Sequence, residues 1–126
     1  MTLHKMIDSL IDYVGYGAIV GLDGNPWIET PTFFPVNSEL KELVKTFQSL
    51  TLKLLKGLEF QNERFMVVHQ DHNMIVAQNQ TGMLVLCKCA YCYVLSYLET
   101  GIIDENCLKA TKDLAEWIEN TPESEL

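Results

Sequence analysis

Apolar residues recur along this chain with two different periods. Leu3, Met6, Ile7, Leu10 and Ile11 fall three and four residues apart, which predicts a short amphipathic helix over residues 3–13. Gly15 and Gly17 end it. The stretch "AIVGLDGNPWIET", residues 18–30, then reads as a hairpin, because Asp-Gly between apolar runs is a strong turn signal. A loop with two prolines, "TPTFFPVNS", leads to a second helical pattern of Leu40, Leu43, Val44, Phe47, Leu50 and Leu54, running to about Gly57. Asn37 or Ser38 can cap this helix, and Glu39 suits the positive end of its dipole.

Beyond it the period changes. "RFMVVHQ", "NMIVAQN", "MLVLCKC" and "YCYVLSY" are short runs rich in β-branched, aromatic and aliphatic residues, separated by "DHN" and "QTG". They predict an antiparallel meander. In the first run Phe65 and Val67 point one way and Met66 and Val68 the other, so both faces of the sheet call for cover. A last helix starts after Asp104, a good cap, with Cys107, Leu108, Thr111, Leu114, Ala115 and Ile118 on its apolar face. "NTPESEL", residues 120–126, ends it as an acidic tail. The expected class is α/β in the α+β sense. A central, mostly antiparallel sheet has the N- and C-terminal helices on one face and the middle helix on the other, all in one domain over residues 1–126.

Composition narrows the function. The 126 residues are 48% hydrophobic and 21% charged, as in a soluble globular domain. No apolar run is long enough to span a bilayer and no signal segment opens the chain, so a cytoplasmic location is expected. The net charge of −8, with 9 basic against 17 acidic residues, argues against nucleic acid, whose binding rests on neutralised phosphates. It also argues against anionic membranes.

Candidate chemistry is sparse. Cys87, Cys89 and Cys92 lie close together, but in or beside strands rather than in a zinc knuckle. Alternation sends Cys87 and Cys89 to one face, and the following turn is expected to move Cys92 away from them. With Cys107 alone on a helix, the four read as small buried hydrophobes and no metal or cofactor is expected. His4, His69 and His72 have no nucleophile signature beside them, and "GYGAIVGLDG" does not open a helix as a phosphate cradle would. No paired acid and base stands out. The chain reads as a binding protein and not an enzyme.

Four strings, in order and at matching spacing, resemble the profilin family: "AIVGLDGNPW", "GLEFQNERFMVV", "TGMLVLCKCAYCYVLSYLE" and "LAEWI". The resemblance covers almost the whole chain. It implies a monomer in the cytoplasmic cytoskeleton that binds monomeric actin on one face and proline-rich segments on the opposite face. The proline groove lies between the terminal helices, where aromatic rings stack on a polyproline II ligand. By position its residues would be Leu3, Met6, Trp27 and Trp117. The ordinary alternative is two structural tryptophans joining the terminal helices. The family usually carries a tryptophan and a tyrosine where this chain has Leu3 and Met6, and the terminal aromatic is missing from "PESEL". Weak or altered proline-peptide binding is therefore expected. The actin face maps to Val67, His69, Asn79, Lys88, Lys109 and Lys112. Lys109 and Lys112 are i, i+3 and can meet a partner together. With no basic cluster, phosphoinositide membrane binding is expected to be weak or lacking.

A rival reading is a roadblock-like or longin-like module, a dimeric platform for small GTPases. Its helix–hairpin–helix–strand order fits the long helix from about Asn37 to Lys56. The strand pair at 83–98 and the capped last helix fit profilin better. A small-molecule sensor of the PAS type would need room inside the sheet that the bulky residues on both faces do not leave.

Overall fold

A computed structural model of the chain describes residues 15–30, 37–48, 57–61, 63–99 and 104–122. The predicted first helix, with Leu3 and Met6, lies outside these residues, as do Leu50 and Leu54. In chain order the described elements are β1 (Tyr16–Gly21), β2 (Pro26–Glu29), α1 (Asn37–Gln48), β3 (Gly57–Phe60), β4 (Glu63–Gln70), β5 (Met74–Gln78), β6 (Met83–Lys88), β7 (Cys92–Leu98) and α2 (Glu105–Glu119). The strands form one 7-stranded sheet in the order β2-β1-β7-β6-β5-β4-β3, antiparallel at every pairing.

The hairpin, the meander and the capped last helix stand where the pattern predicts them. The Asp23 carboxylate folds the first turn by accepting from the Asn25 N–H at 3.0 Å and from its side-chain amide at 2.9 Å. Gly24 takes a left-handed conformation there, with φ 87°. Its missing side chain leaves room for Lys41 of α1, whose Cα would lie 2.7 Å from a Cβ at that position. Asp104 caps α2 by accepting from the N–H groups of Asn106 and Cys107, at 2.9 and 3.1 Å.

Two features differ from the expected pattern. Gly57–Phe60 is a strand, where the sequence places only the end of a helix and a lead-in segment. It pairs with β4 around Gln61, a non-glycine residue at φ 52° whose N–H is held by the Glu39 carboxylate of α1 at 2.5 Å. The meander is also closed by β1, which docks along the whole of β7 from Tyr16↔Tyr97 to Gly21↔Cys92.

The sheet has an apolar core on each side. Leu40, Leu43 and Val44 of α1 share one cluster with Ala18, Val20, Phe65, Leu84, Leu86 and Leu95. Cys107, Leu114 and Ile118 of α2 share the other with Ile19, Val76, Met83, Val85, Cys92 and Val94. A buried polar pair ties α2 to β7. The Thr111 hydroxyl donates to the Cys107 carbonyl at 2.8 Å and lies 2.8 Å from the Ser96 hydroxyl, so neither buried oxygen is left without a partner.

Candidate functional site

Helix α2 lies over β6 and β7. It does not cover β4, farther along the same face. There Met66 is 68% exposed and Val68 50%, against the expectation that both faces of this strand would be covered. A bulge fixes which side chains share the flank. Val67 pairs with Ala77, and His69, not Val68, pairs with Val76. Ala77 belongs to the α1 core and Val76 to the α2 core. Simple alternation would send Met66 and His69 to opposite faces, and the extra residue puts both on the α2 side.

This bears on where one expected residue lies. Val67 is half-buried against the α1 core, on the face of the strand opposite to His69. Its strand neighbours Met66 and Val68 are the exposed pair instead. The signal that could have found them was present in the sequence: apolar residues on both faces of this strand, more than the two described helices cover.

The other expected residues are spread around this flank. His69 is exposed and its Nε2 lies 2.8 Å from Asp71 Oδ2. Burial works to raise the Asp71 carboxyl. Hydrogen bonds from His69 and from the N–H groups of Asn73 and Met74 outweigh it, holding the group below its ordinary range. Lys88 ends β6 beside Asn73, to whose carbonyl its N–H donates at 2.7 Å. Asn79 sits at the other end of β5. Its Oδ1 accepts from the N–H groups of Thr81 and Gly82, and its amide reaches Glu63 Oε2 at 3.3 Å. On α2, Lys109 pairs with Asp113 at 2.8 Å, so the two helix lysines are not equivalent. Lys112 and Lys88 do come together. Both line a hollow of about 720 Å³ between α2 and the β4–β5 and β6–β7 turns, with Asp71, His72, Cys87 and Glu116.

Trp27 stands at the far edge of the same side of the sheet. It is the extra residue of a second bulge, where Ile19 pairs with Ile28 and Val20 with Pro26. A Cβ on Gly21 would lie 2.8 Å from the Trp27 Nε1, so the indole occupies the space that a side chain at Gly21 would fill. Gly21 alternates with Val20, which belongs to the α1 core, so that space is on the α2 side. Trp27 is 43% exposed. Trp117 of α2 is half-buried against the cluster that also holds Ile28. The structure thus brings both tryptophans to one side of the sheet, while Leu3 and Met6 lie outside the described residues.

The cysteines are all buried and free. Cys92 does not turn away from Cys87 and Cys89, as alternation through a turn implied. All four belong to the α2 core. Burial pushes the Cys87 and Cys107 thiols up to about 12.

The profilin family model matches residues 1–122. The chain belongs to the profilin family. It is 30% identical over 107 residues to Profilin-3 of Caenorhabditis elegans, covering 82% of each chain. Its fold is similar to Acanthamoeba castellanii profilin IA, with a TM-score of 0.80 at 16% identity over 94% of this chain and 97% of that one. It is likewise similar to LokiProfilin2, solved in a complex with rabbit actin, with a TM-score of 0.80 at 19% identity over 97% and 100% of the two chains. These findings do not favour the roadblock or longin reading. Among the described residues, no helix of this profilin is long and apolar enough to cross a membrane.

Proposed function

We propose that this chain binds monomeric actin and regulates its polymerisation, as a cytoplasmic binding protein and not as an enzyme. The observation that carries the reading is the uncovered flank of β4, with Met66 and Val68 exposed beside α2. Exposed apolar side chains rimmed by polar ones mark protein interaction surfaces. Here the rim is Arg64, His69 and Lys112, all exposed. Family membership supports actin as the partner, and so do the solved complexes of LokiProfilin1 and LokiProfilin2 with rabbit actin. Asn79, Lys88 and Lys109 are assigned to the margin of this surface.

Polymerisation of monomeric actin followed in time tests the assignment. The chain should lengthen the lag, and Met66→Asp should abolish that effect while leaving the fold intact. An unchanged lag with the unsubstituted chain would sink the reading.

Trp27 and Trp117, together with Leu3 and Met6 by family position alone, are assigned to proline-rich segments at reduced affinity. Aliphatic side chains offer no indole or phenol donor to a proline-rich backbone. Tryptophan fluorescence during titration with a polyproline peptide should show binding weaker than micromolar. Binding to phosphoinositide vesicles should be weak or undetectable, given the net charge of −8.

A further inference from the structure

The turn between β6 and β7 reads Cys-Ala-Tyr-Cys. The ladder that pairs Lys88 with Tyr93 makes Cys89 and Cys92 the next opposed residues, across the two-residue loop Ala90-Tyr91. The Cys89 N–H donates to the Cys92 carbonyl at 2.8 Å. Opposed residues of an antiparallel ladder have Cα atoms about 4.5 or 5.5 Å apart, and a disulfide spans about 4.4–6.8 Å. The two thiols are already in hydrogen-bond contact. We infer that Cys89 and Cys92 form a reversible disulfide, making this turn a redox modification site on the rim of the hollow.

The other two cysteines do not offer the same geometry. Cys87 is opposed by Val94, so no thiol faces it across the ladder. Cys107 stands on α2, with its thiol against Thr111. Cys89 lines the hollow, as Cys87 does, while Cys92 lies behind it, fully buried, so geometry rather than access singles out the turn. The Cys89 thiol bonds to Cys92 and so holds the Cys92 thiol below its usual range.

The oxidant is a hydroperoxide. The Cys89 sulfur attacks one peroxide oxygen, the O–O bond breaks, and the Cys89 thiol proton passes to the departing oxygen. With hydrogen peroxide the departing oxygen leaves as water and Cys89 carries a sulfenic acid. The Cys92 sulfur then displaces the sulfenic hydroxyl, which leaves with the Cys92 proton as a second water. Two thiols and one hydrogen peroxide give one disulfide and two waters, and a dithiol reductant reverses the change.

The turn is also tied to the end of α2. The Cys89 Sγ lies 3.7 Å from the Ala115 carbonyl, and the Ala90 N–H donates to Glu119 Oε2 at 2.6 Å. Oxidation removes the one thiol hydrogen of Cys89, which lies within reach of both the Cys92 sulfur and the Ala115 carbonyl. The helix segment that carries Trp117 loses that tether.

Mass spectrometry of the folded chain, treated with hydrogen peroxide and then alkylated in denaturant, tests the inference. The expected result is a loss of about 2 Da with two alkylated thiols, reversed by dithiothreitol. A tryptic cut after Lys88 and chymotryptic cuts after Tyr91 and Tyr97 separate the four cysteines, and the bridge should join Cys89 to Cys92. Cys87→Ser and Cys107→Ser should keep the loss, and Cys89→Ser and Cys92→Ser should abolish it. Should the last two fail to fold, the peptide map of the unsubstituted chain decides alone. Four alkylated thiols, oxygen adducts in place of the bridge, or a bridge to Cys87 or Cys107 would overturn the inference. Hydrogen exchange at the α2 amides from Ala115 to Glu119 should quicken in the oxidised form, and unchanged exchange would refute the link to α2.

Discussion

Strands β4 and β7 have similar apolar runs in sequence and opposite fates in the fold. In β7, Cys92 through Tyr97 are all buried, between β1 and β6 and under α2. In β4 only Phe65 is buried, although Met66, Val67 and Val68 follow it directly. The strands differ in position, not in hydrophobicity. β7 is an interior strand next to the central β6, with a helix over it, and β4 lies one strand from the edge, away from the strands that α2 packs on. An apolar run thus records that a strand can be buried on both faces, and only the placement of helices decides whether it is.

The sharpest way to break this comparison is to cut one large side chain from each strand. Leu95 of β7 is fully buried in the α1 core, so Leu95→Ala should cost about 2–5 kcal/mol in urea unfolding. A loss below about 1 kcal/mol would mean that β7 is not a tightly packed interior strand.

A smaller effect separates the covered side by pH. An unfolded thiol ionises near pH 8.5, while burial lifts the folded Cys87 to about 12. The folded state then keeps a proton that the unfolded state gives up. The associated stability is complete below about pH 8.5 and declines as pH rises toward 12, by up to about 1.4 kcal/mol per pH unit. Urea midpoints between pH 7 and 10 should fall with this sign, and Cys87→Val should flatten the slope. An equal slope in that variant would remove Cys87 as its source.

The smallest stability effect is expected on β4. Met66→Ala should change stability by no more than about 0.5 kcal/mol, because its side chain is largely in water already, and should still weaken actin binding. A large stability loss there would show that the flank is structural rather than a docking surface.

Much of the fold was legible in local terms. The Asp-Gly turn, the Asp104 cap and the apolar stripe of α2 follow from turn chemistry, capping and a 3.6-residue period, and each stands where the residues imply. The candidate surface was less legible. The family pattern led to His69, Lys88 and Lys112 but also to Val67, which faces the other way. The cause is the extra residue at Val68, since a bulge breaks strict alternation and leaves no composition signature. Cys92 was misplaced for a related reason, because a two-residue hairpin returns its flanking residues to the same face.

By itself the sequence determined the types of the described elements except β3, their caps and turns, and membership of the profilin family, because these depend on near neighbours and on motifs in order. Tertiary structure alone decided that β1 closes on β7, that Met66 rather than Val67 meets solvent, and that the Trp27 ring lies over Gly21. Those outcomes depend on register between distant strands and on which surface a helix happens to cover. A one-residue shift in pairing exchanges the two faces of a strand, and no local pattern records it.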